Sequence, residues 1–166
     1  CKLIIITGGE PMLQENVISF VNYANERGFS TQFETNGLLH RDISRGSGIA
    51  TNTIVVSPKM PGEKYNELRL DVFDRADVLK FVVEREGKFN YIPDYAFKFK
   101  ETGRKVYVSP INVYLRPVGE AEIPNFFDAT LYNYPACRDN YQFAAEFCLK
   151  HDFILNMQKH LFINLE

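Results

Sequence analysis

The chain has 166 residues, 45% of them hydrophobic and 24% charged, with a formal net charge of −2. That is the make-up of one globular domain, expected to span 1–166, and the near-neutral charge gives no reason to expect a nucleic-acid or membrane-surface partner. No apolar run approaches the ~20 residues of a membrane span, and no signal peptide is visible.

The chain opens at Cys1 and is inside an apolar run by the next residue, so a preceding segment is expected. Lys2-Leu3-Ile4-Ile5-Ile6-Thr7 is rich in isoleucine and stops at Gly8-Gly9-Glu10-Pro11. This reads as a buried parallel strand feeding a tight loop. Leu13, Val17, Phe20, Val21 and Ala24 recur at three- and four-residue steps, which predicts one helix face closed by Arg27-Gly28. The second strand runs from Phe29 to Phe33 and ends in Glu34-Thr35-Asn36-Gly37. Residues 38–52 are polar and glycine-bearing and are expected to hold one short helix and a loop.

Thr53-Ile54-Val55-Val56 is a third strand, stopped by Ser57-Pro58-Lys59. A short helical segment over 71–76 precedes the fourth strand, Val78 to Val83. A helix with Ile92, Tyr95, Ala96 and Phe99 on one face leads to Gly103 as its C′ residue. The fifth strand, Lys105 to Val108, ends at Ser109-Pro110-Ile111-Asn112. Residues 113–130 read as irregular, 134–151 as a helix, and 153–157 as a last strand before Gln158-Lys159-His160. Strand and helix alternate with roughly six strands, the pattern of a mostly parallel α/β fold. Four strands end in polar or glycine-bearing motifs, and in α/β barrels ligands sit at that edge.

Each strand end has its own chemistry. Glycines let a ligand approach the backbone, and an acid beside them, Glu10, can receive a cationic group. Glu34 puts a carboxylate, a good acceptor for ribose hydroxyls, at the mouth of the fold. In Ser57-Pro58-Lys59 the proline stops the strand while serine and lysine project a hydroxyl and a cation. The plain alternatives are an ordinary βα turn, an Asn-Gly turn and a solvated surface lysine. Cys1, Cys137 and Cys148 are odd in number and widely spaced, which points to buried free thiols in a reducing, cytoplasmic setting instead of a disulfide framework or metal site. His40 and His151 receive no role.

Gly8-Gly9-Glu10-Pro11 resembles the Gly-Gly-Glu-Pro motif of radical S-adenosylmethionine enzymes, where the loop binds the amino group of the methionine moiety. Ser57-Pro58-Lys59, the run Ala76 to Val83 and the Gln158-x-His160 ending resemble one family within them, the 7-carboxy-7-deazaguanine synthases. The resemblance implies an incomplete parallel β/α barrel, with the first strand and cluster loop missing from this stretch. It also implies conversion of 6-carboxy-5,6,7,8-tetrahydropterin to 7-carboxy-7-deazaguanine, a lyase reaction of queuosine biosynthesis. S-adenosylmethionine, a [4Fe–4S] cluster, Mg²⁺, a pterin substrate and a homodimer come with it.

By resemblance, Gly8, Gly9, Glu10, Glu34, Asn36, Ser57, Pro58, Lys59, Ser109 and Asn112 would contact S-adenosylmethionine. Thr7, Gln158 and His160 would contact the pterin; the family's lysine after that histidine is Leu161 here. Apolar Phe162, Ile163 and Leu165 predict a packed terminus, which either packs for stability alone or brings the Glu166 carboxylate to the pterin. The cluster needs three closely spaced thiolates, and no such trio lies in 1–166. Its ligands, and those of Mg²⁺, are therefore expected upstream, with 1–166 alone inactive. Two other readings are a glycyl-radical-enzyme activase, against which Ser57-Pro58-Lys59 argues, and a truncated nucleoside-binding relative without catalysis.

Overall fold

The first strand, β1 (Leu3–Ile6), leads through a 3-10 turn over Pro11–Leu13 into α1 (Val17–Glu26). Then come β2 (Ser30–Thr35), β3 (Gly46–Ser47), β4 (Ala50–Val56), α2 (Leu70–Arg75), β5 (Val78–Val83), α3 (Asp94–Glu101), β6 (Lys105–Pro110), α4 (Tyr134–His151) and β7 (Ile154–Leu155). These elements come from a computed structural model that describes residues 2–115 and 132–157. Six strands form one parallel sheet in the order β1-β2-β4-β5-β6-β7, and β3 pairs antiparallel with β4. The sheet does not close, so the expected α/β class and incomplete parallel barrel are found. The chain divides into two compact units, Cys1–Lys80 with Pro93–Val106, and Phe81–Ile92 with Tyr107–Glu166.

In the first unit the register pairs Ile6 with Phe33, Phe33 with Ile54, and Val56 with Leu79. Side chains alternate across a sheet, so one face carries Phe33, Thr35, Ile54, Val56 and Leu79, all buried. Helix α1 adds Val17, Val21 and Ala24 to the core. The predicted helix face is narrower than expected. Leu13 is 62% exposed and Phe20 41% exposed, because the helix begins only at Val17 and its buried stripe runs 17-21-24. The helix ends as predicted at Arg27-Gly28. Gly28 (φ 74) donates to Asn25 O and Phe29 N to Ala24 O, the paired bonds of a Schellman ending.

The short helix expected within 38–52 is absent among the described residues. A hairpin stands there instead, with Gly46 paired to Thr51 and Ser47 to Ala50. Gly46 (φ 80) and Gly48 (φ 69) both take left-handed backbone, which a helix cannot accommodate in succession. A side chain at Gly46 would meet Ala50 O at 2.4 Å, so the hairpin depends on glycine there.

The lower end of this unit, where the parallel strands start, is cross-linked by polar side chains. Asn25 and Asn52 exchange amide hydrogen bonds of 2.9 Å each way, and Thr31 Oγ1 donates to Asn52 Oδ1 at 2.8 Å. Arg75 donates to Ile43 O, to Asn52 O (2.9 Å) and to Asp77 Oδ2 (2.7 Å). Asp77 in turn accepts from Ile54 N and from Arg45. Arg104 lies over the rings of Phe73 and Phe99 and donates to Phe73 O and Ala76 O at the end of α2.

In the second unit β6 pairs with β7 through Tyr107–Ile154 and Val108–Leu155. Helix α4 starts under an Asn133 cap to Ala136 N and ends at Asp152, whose left-handed φ of 54° stands where glycine is usual. Asn140, 6% exposed, accepts from Arg85 N and donates to Ile111 O. Cys137 and Cys148 are buried free thiols, and burial pushes the Cys148 thiol up to about 11. Burial beside Tyr114 pushes the Tyr132 phenol up to about 12. No helix among the described residues is long and apolar enough to cross a membrane.

Candidate functional site

Parallel pairing fixes which residues meet at the upper edge of the first unit. Thr35 and Val56 end their strands side by side and Ile6 ends level with Phe33, two residues lower, so Thr7–Glu10, Asn36 and Ser57–Lys59 emerge along one edge. The ladder continues one step past β4, with Ser57 N donating to Thr35 O at 2.8 Å.

Glu10 is the centre of this edge. Its Oε1 accepts from Thr35 Oγ1 at 2.6 Å and from Met12 N at 3.0 Å, and its Oε2 accepts from Asn36 N at 2.8 Å. The carboxylate thus ties the loop after β1 to the end of β2. The loop is held from below as well: Met12 is 2% exposed, and its carbonyl accepts from Arg41 Nε at 2.9 Å.

Two glycines precede Glu10, and they differ. Gly8 takes a left-handed φ of 88°, which the turn requires. Gly9 does not, and a Cβ built there would meet nothing within 4 Å. The fold therefore has no need of glycine at position 9. What its missing side chain provides is open backbone, where another molecule can approach closely.

Around the edge, Asn36 Oδ1 accepts from Leu38 N at 2.9 Å, and Gly37 (φ 76) is packed so that a Cβ would sit 2.6 Å from Val56 Cγ1. Pro58 is buried, Ser57 half-buried and Lys59 exposed. The loop carrying Lys59 is pinned by buried Met60 and Tyr65 and by Asn66 N donating to Lys59 O. Glu34 is half-buried on the sheet face opposite Thr35, and the register places Gln32 and Lys80 on that same face. The sequence assigns no role to Gln32 or Lys80; their signal is position, since each stands two residues from a neighbour on the less buried face of its strand.

The other expected contact residues fall outside the first unit. Ser109 and Asn112 are in the second unit, where buried Ser109 accepts from Asn156 Nδ2 at 2.8 Å. Gln158, His160 and Glu166 lie outside the described residues. For a cluster or metal, no group of three or more His, Cys, Asp or Glu side chains among the described residues is placed to hold an ion. Cys137 and Cys148 sit on one helix, about 16 Å apart along its axis at 1.5 Å per residue. These residues do not fit a [4Fe–4S] cluster.

No family model matches the chain. A 7-carboxy-7-deazaguanine synthase of Rickettsia prowazekii is 27% identical over 166 residues, covering 99% of this chain and 60% of that protein. Proteins of the same name from Rhodospirillum rubrum, Hyperthermus butylicus and Halobacterium salinarum match shorter stretches at 40%, 33% and 32% identity. The crystal structure of QueE from Escherichia coli superposes with a TM-score of 0.60 at 19% identity, over 95% of this chain and 56% of that one. Streptococcus suis SuiB bound to S-adenosylmethionine superposes with a TM-score of 0.57 at 15% identity, over 99% of this chain and 42% of that one. At these identities the structural likenesses carry the fold alone. The chain spans 32–60% of the length of the curated relatives it matches. As the Gly-Gly-Glu-Pro and Ser-Pro-Lys stretches imply, the chain is a relative of the 7-carboxy-7-deazaguanine synthases, matched over part of their length.

Proposed function

We propose that this chain supplies the S-adenosylmethionine site of a 7-carboxy-7-deazaguanine synthase. That activity converts 6-carboxy-5,6,7,8-tetrahydropterin to 7-carboxy-7-deazaguanine. The observation that carries the reading is the pairing of an open glycine backbone at Gly9 with a clamped Glu10 carboxylate at the parallel edge of the sheet. S-adenosylmethionine presents an ammonium group, a ribose and an adenine. Glu10 accepts from the ammonium, the Gly8–Gly9 backbone lies alongside the methionine chain, and Lys59 and Ser57 approach from the end of β4. Glu34 and Asn36 serve the ribose, and Ser109 and Asn112 complete the cofactor contacts. By the family resemblance, contact with the pterin would fall to Thr7, Gln158, His160 and the Glu166 carboxylate.

The radical chemistry of such enzymes is supplied by a [4Fe–4S] cluster, and Mg²⁺ accompanies it; neither is held by the described residues. This chain's own part is to bind the cofactor and orient it. Calorimetric titration of the native gene product with S-adenosylmethionine is expected to give one-to-one binding. Anaerobic incubation with reductant and the carboxytetrahydropterin is expected to release the deazaguanine, read by mass spectrometry. Absence of binding would remove the cofactor role, and binding without product would leave a nucleoside-binding relative.

A further inference from the structure

We infer that Thr35 is the positioning residue of the site, acting through Glu10 to set which carboxylate oxygen meets the cofactor's ammonium group. The inference rests on the S-adenosylmethionine reading above and names a residue that reading does not use.

Thr35 is 4% exposed at the last position of β2. Its hydroxyl has one proton to give. Gly37 N donates to Thr35 Oγ1 at 3.2 Å, so one lone pair is taken from the far side. The proton goes to Glu10 Oε1, at 2.6 Å, the shortest of that carboxylate's contacts. A carboxylate oxygen accepts about two hydrogen bonds. Oε1 is therefore filled, by Thr35 and by Met12 N. Oε2 receives only Asn36 N among the described residues and keeps about one acceptor position.

The orientation of the carboxylate decides which oxygen offers that position, and Thr35 holds the orientation. Its own backbone is fixed by Ser57 N donating to Thr35 O, and the turn behind it by Gly37, which is pressed against Val56. Replacing the hydroxyl with a methyl nearly keeps the volume, takes the acceptor from Gly37 N, and leaves the carboxylate held by Met12 N and Asn36 N alone among the described residues, which loosens its orientation. The ammonium group would then meet a partner with two competing orientations.

The prediction separates ligands by the group they carry. S-adenosylhomocysteine has the amino-acid moiety, and 5′-methylthioadenosine lacks it. In the native gene product Thr35→Val is expected to weaken S-adenosylhomocysteine binding three- to tenfold and to leave methylthioadenosine binding within twofold. Thr35→Ser, which restores the hydroxyl, is expected to return S-adenosylhomocysteine affinity to within twofold of wild type. Thr35→Cys, close in volume and a weak donor, gives the same comparison if the valine variant melts below the assay temperature. Calorimetry supplies the affinities, and thermal melting of each variant shows it folded. Equal loss of both ligands in Thr35→Val, or unchanged binding of both, would overturn the positioning role. Glu10→Ala is run beside them. If it leaves S-adenosylhomocysteine affinity unchanged, the cofactor site itself is wrong; if it weakens binding while Thr35→Val does not, only the role of Thr35 falls.

Discussion

The two ends of the parallel strands in the first unit are both polar, yet they are built in opposite ways. At the lower end Asn25, Thr31, Asn52, Arg75 and Asp77 spend their hydrogen-bonding groups on one another and on backbone. Thr31 is fully buried, Asn52 2% and Arg75 9% exposed. At the upper edge Glu10 is only partly enclosed, Lys59 is exposed, and Gly9 leaves backbone uncovered. Buried polar groups stabilise only when they are satisfied. The lower end is thus a structural lock, while the upper edge keeps acceptors and a cation in reach of a ligand. In α/β barrels this division, stability below and chemistry above, is general.

The largest expected effect tests the lock. Arg75→Met removes donors from Ile43 O and Asn52 O and leaves Asp77 without the more buried of its two arginine partners. Breaking such a pair is expected to cost about 3–5 kcal/mol in urea unfolding, with cofactor affinity unchanged in the folded protein. A loss below about 1 kcal/mol would show that the lower end is no lock. Next comes Glu10→Ala at the upper edge. Loss of a charged hydrogen-bond partner is worth roughly 1.5–3 kcal/mol, so S-adenosylmethionine should bind ten- to a hundredfold more weakly, and the melting temperature should fall as well because Thr35 Oγ1, Met12 N and Asn36 N lose their acceptor. Lys59→Ala should lower the same affinity about tenfold, or ~1.4 kcal/mol, with stability within about 0.5 kcal/mol because the side chain is exposed. Unchanged calorimetric affinity in both variants would erase the contrast between the ends.

The finest test uses two glycines. Gly37→Ala forces a left-handed alanine against Val56 and should cost at least about 1–2 kcal/mol of stability. Gly9→Ala has room and ordinary backbone, so it should leave the denaturation midpoint in place yet weaken cofactor binding several-fold. If Gly9→Ala binds like wild type, the open backbone has no ligand beside it.

Much of this was legible beforehand because apolar periodicity reports burial directly. The valine-rich β4 and β5 and the glycine after α1 stand where the sequence places them. The isoleucine run of β1 is a parallel strand as expected but not a buried one: Leu3 is 44% and Ile5 55% exposed, because among the described residues β1 pairs with β2 alone at the side of the sheet. The glycine-bearing edge was legible because parallel strands must end together. What stayed hidden were polar residues that turn inward. Asn25, Asn52 and Arg75 look like surface residues in sequence, and only their partners, 27 and 23 positions apart along the chain, draw Asn52 and Arg75 into the core with half-buried Asn25 beside them. Thr35 was read as part of a turn motif, since nothing local marks its hydroxyl as the partner of Glu10, 25 residues earlier. The hairpin at Gly46 was missed because two positive-φ glycines in a polar stretch resemble any loop until the strand beside them is known.

The strand order has a consequence for how the protein is made. Among the described residues each strand of the parallel sheet lies beside the next parallel strand in the chain, β1-β2-β4-β5-β6-β7, with no strand inserted out of turn. The sheet can therefore grow from one side as the chain leaves the ribosome, every new strand meeting an edge already formed. Pairings stay as local as a parallel fold allows, so the chain-closure cost falls in small steps. Each intermediate presents a single growing edge, which the next few dozen residues cover as they emerge.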